Sequence, residues 1–367
     1  MSAVDAYHRR RLHQRVRRLE GDRGPLARLT MGVLLVALIL VAAASLTVGA
    51  SGLGGATVVD QIRAFVTGAE PDTSHFSVIF WDIRLPRMVL AILVGASLAS
   101  AGAVMQGLFR NPLADPGIVG ISSGAVLFAV IAIVLGGTVL APVEAVFGIY
   151  MLPLFAFVGG AGNTLLLYVI STRHGQTSVA TMLLSGIAIN ALMLSFIGYL
   201  TFISDDQQLR DLTFWSMGSL GGANWVKIQA ILPFILLSLA LMPLLSNGLD
   251  GLVLGDHQAR HMGVPVQALK RLAIFGIALS VGASVAVTGG IGFVGLVVPH
   301  LLRLLIGPDH RYLLPTSALL GAILLLLADM VARTAVAPAS LPIGIVTAAI
   351  GGPFFLWLVV RSRGILS

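Results

Sequence analysis

Residues 88–109 read MVLAILVGASLASAGAVMQGLF, and the polar stretch Arg110-Asn-Pro-Leu-Ala-Asp-Pro116 follows directly. The first stretch carries no charge. At about 1.5 Å per residue it is long enough to cross a hydrocarbon core about 30 Å thick. The second stretch stops it. Pro112 and Pro116 fix φ and remove backbone donors, ending one helix and preparing another, while Asn111 and Asp115 can cap the exposed backbone groups. A spanning helix followed by a rigid structural turn is the unit to look for elsewhere.

Working outward, apolar runs separated by polar or Pro/Gly punctuation recur near 30–50, 87–109, 117–135, 147–171, 178–203, 226–247, 268–289, 293–306, 312–332 and 341–361. The fold class expected is therefore all-α membrane protein, with about ten transmembrane helices. Of the 367 residues 57% are hydrophobic and 11% charged, far from the half-apolar, quarter-charged soluble average. No soluble domain of any size fits between the runs. The eighth run, with Pro299, His300 and Arg303, is the one most easily read as re-entrant.

Several function classes fall away. The net charge of +7 does not point to nucleic acid, because the basic residues sit in short stretches between apolar runs and form no single basic face. With no cysteine, a disulfide framework and thiolate metal sites are excluded. Arg9, Arg10, Arg11, Arg15, Arg17 and Arg18 precede the first apolar run, but that run exceeds a signal-peptide core of about 7–15 residues. It is expected to stay as the first helix, preceded by an Arg-rich cytoplasmic arm (1–28). Residues 29–363 are expected to form a single ten-helix transmembrane domain.

Orientation follows from the Lys and Arg retained in cytoplasmic segments. With both termini inside, Arg63, Arg84, Arg87, Arg210, Lys227 and Arg333 lie outside, and the other 17 of 23 lie inside. Small residues at four-residue spacing, Gly95 with Ala99 and Ala103, and Gly120 with Gly124, suit close helix packing.

Catalytic signatures are missing. There is no phosphate-binding G-x-x-x-x-G-K-[ST] loop, so ATP hydrolysis by that mechanism requires another subunit. His257 and His261 have chelating spacing without a zincin pattern, and read as a solvated helix. Gly120 to Gly124 imitates a nucleophile elbow with no strand before it. Asp329 and His300 are ionisable residues within runs, but no paired carboxylates accompany them, which disfavours ion coupling. An ion-coupled secondary transporter is the out-of-class alternative.

The segment 252–265 contains Leu252, Leu254, Gly255, Asp256, Ala259, Arg260 and Gly263. Asp256 is expected as an N-cap, Gly263 as the C′ residue and Pro265 as a stop, giving a short helix of about two turns between spans. Two readings remain open on physics alone: docking to another subunit, or lying on lipid.

The motifs Ile83-Arg-Leu-Pro-Arg87, Gly95-Ala96, Gln106, Asn111 to Pro116, Ser122 to Ala125, Leu254-Gly255, Gly292 to His300, Asp309-His-Arg311, Ala328-Asp329 with Arg333, and Leu341-Pro-Ile-Gly344 resemble, in order, those of FecCD-type permeases. Members of that family import ferric siderophores, haem and cobalamin. The resemblance implies a cobalamin-permease-like type II ABC importer fold in the bacterial inner membrane. It implies a homodimer, two ATP-binding cassette subunits that hold ATP-Mg, and a periplasmic substrate-binding protein. By the same resemblance, 252–265 corresponds to the coupling helix that meets the ATPase. Arg84, Arg87 and Arg333 correspond to external arginines that dock the binding protein, whereas physics alone would let Arg84 and Arg87 snorkel to the lipid interface. The outer stretch 209–225, with its Trp-Ser-Met-Gly, resembles haem permeases most, ahead of ferric-siderophore and cobalamin permeases. The iron chelate is cargo; no cofactor or metal is expected to be permanently bound.

Overall fold

A computed structural model describes residues 23–49, 54–67, 75–117 and 120–362; the arm before Arg23, and Arg363, lie outside the described residues. In chain order the helices are α1 (Gly24–Thr47), α2 (Gly55–Thr67), α3 (Leu85–Phe109), α4 (Ile121–Leu135), α5 (Ala141–Phe147), α6 (Met151–Ser171), α7 (Val179–Phe202), α8 (Asp206–Ser216), α9 (Trp225–Leu252), α10 (Asp256–His261), α11 (Val266–Thr288), α12 (Val294–Ile306), α13 (His310–Thr334) and α14 (Ile343–Ser362). A two-stranded hairpin, β1 (Thr172–Arg173) and β2 (Gln176–Thr177), joins α6 to α7. A turn of helix and a wider π-helical stretch, Ile79–Arg84, lead into α3.

Each of the ten expected segments falls on a helix. Among the described residues, seven helical stretches are long and apolar enough to cross a membrane: those carrying α1, α3, α6, α7, α9, α11 and α13. The segments at α4, α12 and α14 are apolar but shorter. The 294–306 element is a 13-residue helix. Three helices were not anticipated. Of these, α2 seats Val58 against Leu46 and Phe80, and α8 runs along the surface.

The core is organised around α3. From Val94 to Phe109 every residue is buried, as befits a helix apolar on all sides. In lipid, helices associate by packing and hydrogen bonding, since burying apolar surface against a neighbour removes little water. Both devices are used. A Cβ on Gly95 would overlap the Gly321 carbonyl of α13, and one on Gly102 would overlap the Gly295 carbonyl of α12. Of the second small-residue row, Gly124 packs closely against Gly159 on α6, while Gly120 sits just before the helix with φ of 81°.

Polar contacts supply the rest. Ser238 of α9 donates to the Gly276 carbonyl (2.7 Å) and lies 2.8 Å from the Ser280 hydroxyl, and Ser97 of α3 donates to the Ser280 carbonyl at 3.2 Å. These three serines, all buried, tie α3, α9 and α11 together where a hydroxyl without a partner would be costly.

Candidate functional site

The segment around α10 is built by glycine at both ends. Gly255, not Asp256, is the residue preceding the helix, with φ of 102°, a conformation open to glycine at little cost. At the far end the Gly263 N–H donates to the Arg260 carbonyl and the Val264 N–H to the Ala259 carbonyl, both at 2.9 Å. That is a Schellman closure, with Gly263 at φ of 85° as its C′ residue. The expected C-terminus is therefore present, and the expected N-cap is corrected. Asp256 occupies the first helical position, and its carboxylate turns to Lys270.

Lys270 is the residue sequence reasoning passed over. Its side chain is 3% exposed, and Nζ donates to Asp256 Oδ2 at 2.5 Å and to the Thr177 carbonyl at 3.0 Å. A buried ammonium survives only when paired and hydrogen-bonded, so α10, α11 and the hairpin are locked by one cation. A second tie runs in parallel, the Thr177 N–H donating to Gln267 Oε1 at 2.8 Å. The hairpin can come this close because His174 and Gly175 both have positive φ, the signature of a tight type I′ turn.

The remaining expected residues divide by exposure. Leu252 and Ala259 are buried and anchor the segment. Arg260 and Gly263 face outward, and Gly255 and Asp256 are half-buried. Val253 and Leu254, before α10, are 59% and 60% exposed, and Met262, after it, is 56% exposed. The result is a short polar helix flanked by exposed apolar side chains. His257 and His261 stack with ring centroids 4.8 Å apart, and among the described residues no cluster of three metal-ligating side chains forms.

The Asn111 to Pro116 turn borders this surface. Arg110 closes α3 with φ of 51°, and its guanidinium approaches Gly255. Asn111 Oδ1 accepts from the Leu113 N–H at 2.9 Å and Asp115 Oδ1 from the Gly117 N–H at 2.8 Å, two Asx turns in succession. Burial pushes the Asp115 carboxyl above its ordinary range, and the Gly117 bond opposes the rise. The last turn of α9 is pinned as well: Asp250 Oδ1 accepts from the His310 backbone N–H at 3.0 Å and lies 2.6 Å from His310 Nδ1.

At the opposite end, Arg84, Arg87 and Arg333 are brought together, but not as an exposed rim. They gather around Asp329, itself 1% exposed. Arg87 Nη2 lies 2.8 Å and Arg333 Nε 3.0 Å from its carboxylate oxygens, and those two arginine side chains are 12% and 10% exposed. Arg333 Nη2 also donates to the Ser45 carbonyl at 3.1 Å. Arg84 is buried and donates to the carbonyls of Leu46 (3.0 Å) and Val48. Their burial has a physical reason at the end of α1, whose last carbonyls have no intrahelical donor and draw in the guanidiniums.

On the same side, three separated motifs share one backbone seat. The Ile343 N–H donates to the Gly218 carbonyl (2.9 Å), the Gly344 N–H to the Met217 carbonyl (3.1 Å), and the Ser219 N–H to the Thr288 carbonyl (2.7 Å). The Trp-Ser-Met-Gly of 215–218 thus closes against the start of α14 and the end of α11. The repeated glycines at 218, 289, 290 and 344 were the readable signal of that close approach.

Comparison with known proteins places these features in one group. Residues 34–361 match the model of the FecCD transport family. The hemin transport system permease protein HmuU of Yersinia pestis is 47% identical over 336 residues, 92% of this chain and 96% of that protein. The cobalamin import system permease protein BtuC of Halobacterium salinarum is 44% identical over 80% of this chain and 75% of its own length. The vitamin B12 import system permease protein BtuC of Salmonella paratyphi A is likewise 44% identical, over 77% and 83%. Among solved structures, an inward-facing conformation of a metal-chelate type ABC transporter aligns with a TM-score of 0.77 at 34% identity, covering 90% of this chain and 98% of that one.

Proposed function

Because the chain belongs to the FecCD transport family, and so is a multi-pass permease subunit of an ABC importer, we propose that its cargo is haem. The observation that carries this choice is coverage: similarity to the hemin permease extends over 96% of that protein, against 75% and 83% of the two cobalamin permeases. The cobalamin relatives, at 44% identity, support cobalamin as the second reading. A ferric siderophore is the third.

In this reading two copies of the chain sit in the bacterial inner membrane around a shared pathway, each with one ATP-binding cassette subunit. The surface around α10 receives the cassette. Its apolar flanks, Val253, Leu254 and Met262, would be covered there, and Lys270 carries the movement of α10 into α11. A periplasmic binding protein delivers the cargo at the other end. The docking role of Arg84, Arg87 and Arg333 passes to the cluster as a whole: three guanidiniums around one carboxylate leave a positive field that steers an acidic partner even when the side chains are partly covered.

The test is a reconstitution of the permease with its cassette and binding protein, offered haem, a ferric siderophore and cobalamin in competition. We expect the binding protein to gain a Soret band with haem and uptake to consume it. Preferential uptake of either competitor would overturn the haem assignment while leaving the importer intact.

A further inference from the structure

A groove of about 350 Å³ runs between α6 and α11, with Phe157, Leu165, Ile274 and Phe275 among its walls and Tyr168 and Arg271 at one end. From Phe157 to Tyr168 it follows three turns of α6, about 16 Å, which matches one leaflet of a hydrocarbon core about 30 Å thick. Its rim is apolar and open: Leu165 is 63% and Phe275 50% exposed. No acidic residue lines it.

The polar end is asymmetric in charge. Arg271 is exposed, and among the described residues no carboxylate pairs with it; it neighbours Lys270, the cation that locks α10 to the hairpin. Tyr168 lies one turn before the hairpin, on the same end of the molecule. An unpaired guanidinium at the mouth of an apolar groove of leaflet length, on a chain that spans a membrane, selects a ligand with an acyl tail and an anionic head.

We propose that the α6–α11 groove is a binding site for an anionic phospholipid, its acyl chain between Phe157 and Phe275 and its phosphate on Arg271. The site requires only that the chain spans a membrane and stands whatever the cargo.

The full-length permease, assembled with its cassette subunit, would be released from nanodiscs containing phosphatidylglycerol and phosphatidylcholine in equal amounts, and its retained lipids counted by native mass spectrometry. We expect phosphatidylglycerol to be retained selectively. Arg271→Ala should cut its occupancy about fivefold under sub-saturating lipid, since a cation near the surface contributes about 1 kcal/mol, and Arg271→Lys should keep most of it. Ala278→Phe, which narrows the groove but leaves Arg271 in place, should also lower retention. Equal retention of both lipids, or undiminished retention in Arg271→Ala, would overturn the proposal, as would displacement by inorganic phosphate alone. Cross-linking of Leu165→Cys to a second copy, with no lipid retained, would assign the groove to a subunit interface instead. Because the readout is lipid mass and not uptake, failure here is separable from failure of the haem reading.

Discussion

The guanidinium of Arg84 holds the Leu46 and Val48 carbonyls at the end of α1. Arg84→Ala leaves those acceptors without a donor, at a cost of about 1–3 kcal/mol. We expect lower thermal stability of the detergent-solubilised permease, little changed by salt; unchanged melting with slower binding-protein association would return Arg84 to a surface docking role. Asp115 answers to pH. Its folded pKa is raised by burial, so the charge opposes folding: the stability it contributes is complete below the ordinary carboxylate pKa of about 3.9 and is lost as pH rises through the raised folded value. Asp115→Asn keeps an acceptor for the Gly117 N–H and removes the charge. Melting followed from acid to neutral pH should fall less in this variant than in the parent, and parallel curves would exclude Asp115 as the source.

Among the elements, α10 depends most on a single tie. Lys270→Met removes the donor to both Asp256 and Thr177 and releases α10 from α11. Asp256 is 34% exposed and can turn to water, so the loss is set at about 1–3 kcal/mol, below the 3–5 of a fully buried pair. We expect the variant to insert and to bind its cassette, while ATP hydrolysis no longer drives uptake; normal uptake would reduce the latch to a packing contact. For α3, Gly102→Val places side-chain atoms where the Gly295 carbonyl stands. Overpacking typically costs about 1–3 kcal/mol, and the backbone here has no flexible neighbour to displace, so folded permease recovered from membranes should drop sharply. The long helices were legible because runs of about 20 apolar residues have few other interpretations. α8 was announced more quietly, by Asp205 and Gln208, which form a reciprocal capping box. Asp256 misled because it is a good capping residue placed after a glycine that can begin the helix itself, and the cation that claims it lies 14 residues on. The burial of Arg84 and Arg87 was illegible for a simpler reason: Asp329 is 242 residues from Arg87 and Leu46 is 38 from Arg84 in sequence, whereas only the Asp329–Arg333 pair, at i and i+4, carries a local pattern.

At the scale of the whole molecule, one end carries a helix flanked by uncovered apolar side chains and the other a positive cluster braced by α1, α3 and α13. A densely packed α3 connects them, in contact with α9, α11, α12 and α13. The molecule's central requirement is a partner that hydrolyses ATP. The direct measurement is uptake into proteoliposomes loaded with ATP, with the binding protein and haem outside, comparing permease alone with permease plus its cassette subunit. We expect no ATP hydrolysis and no uptake from the permease alone, and ATP-dependent accumulation once the cassette is present. ATP-dependent accumulation by the permease alone would contradict its assignment as an importer's transport subunit.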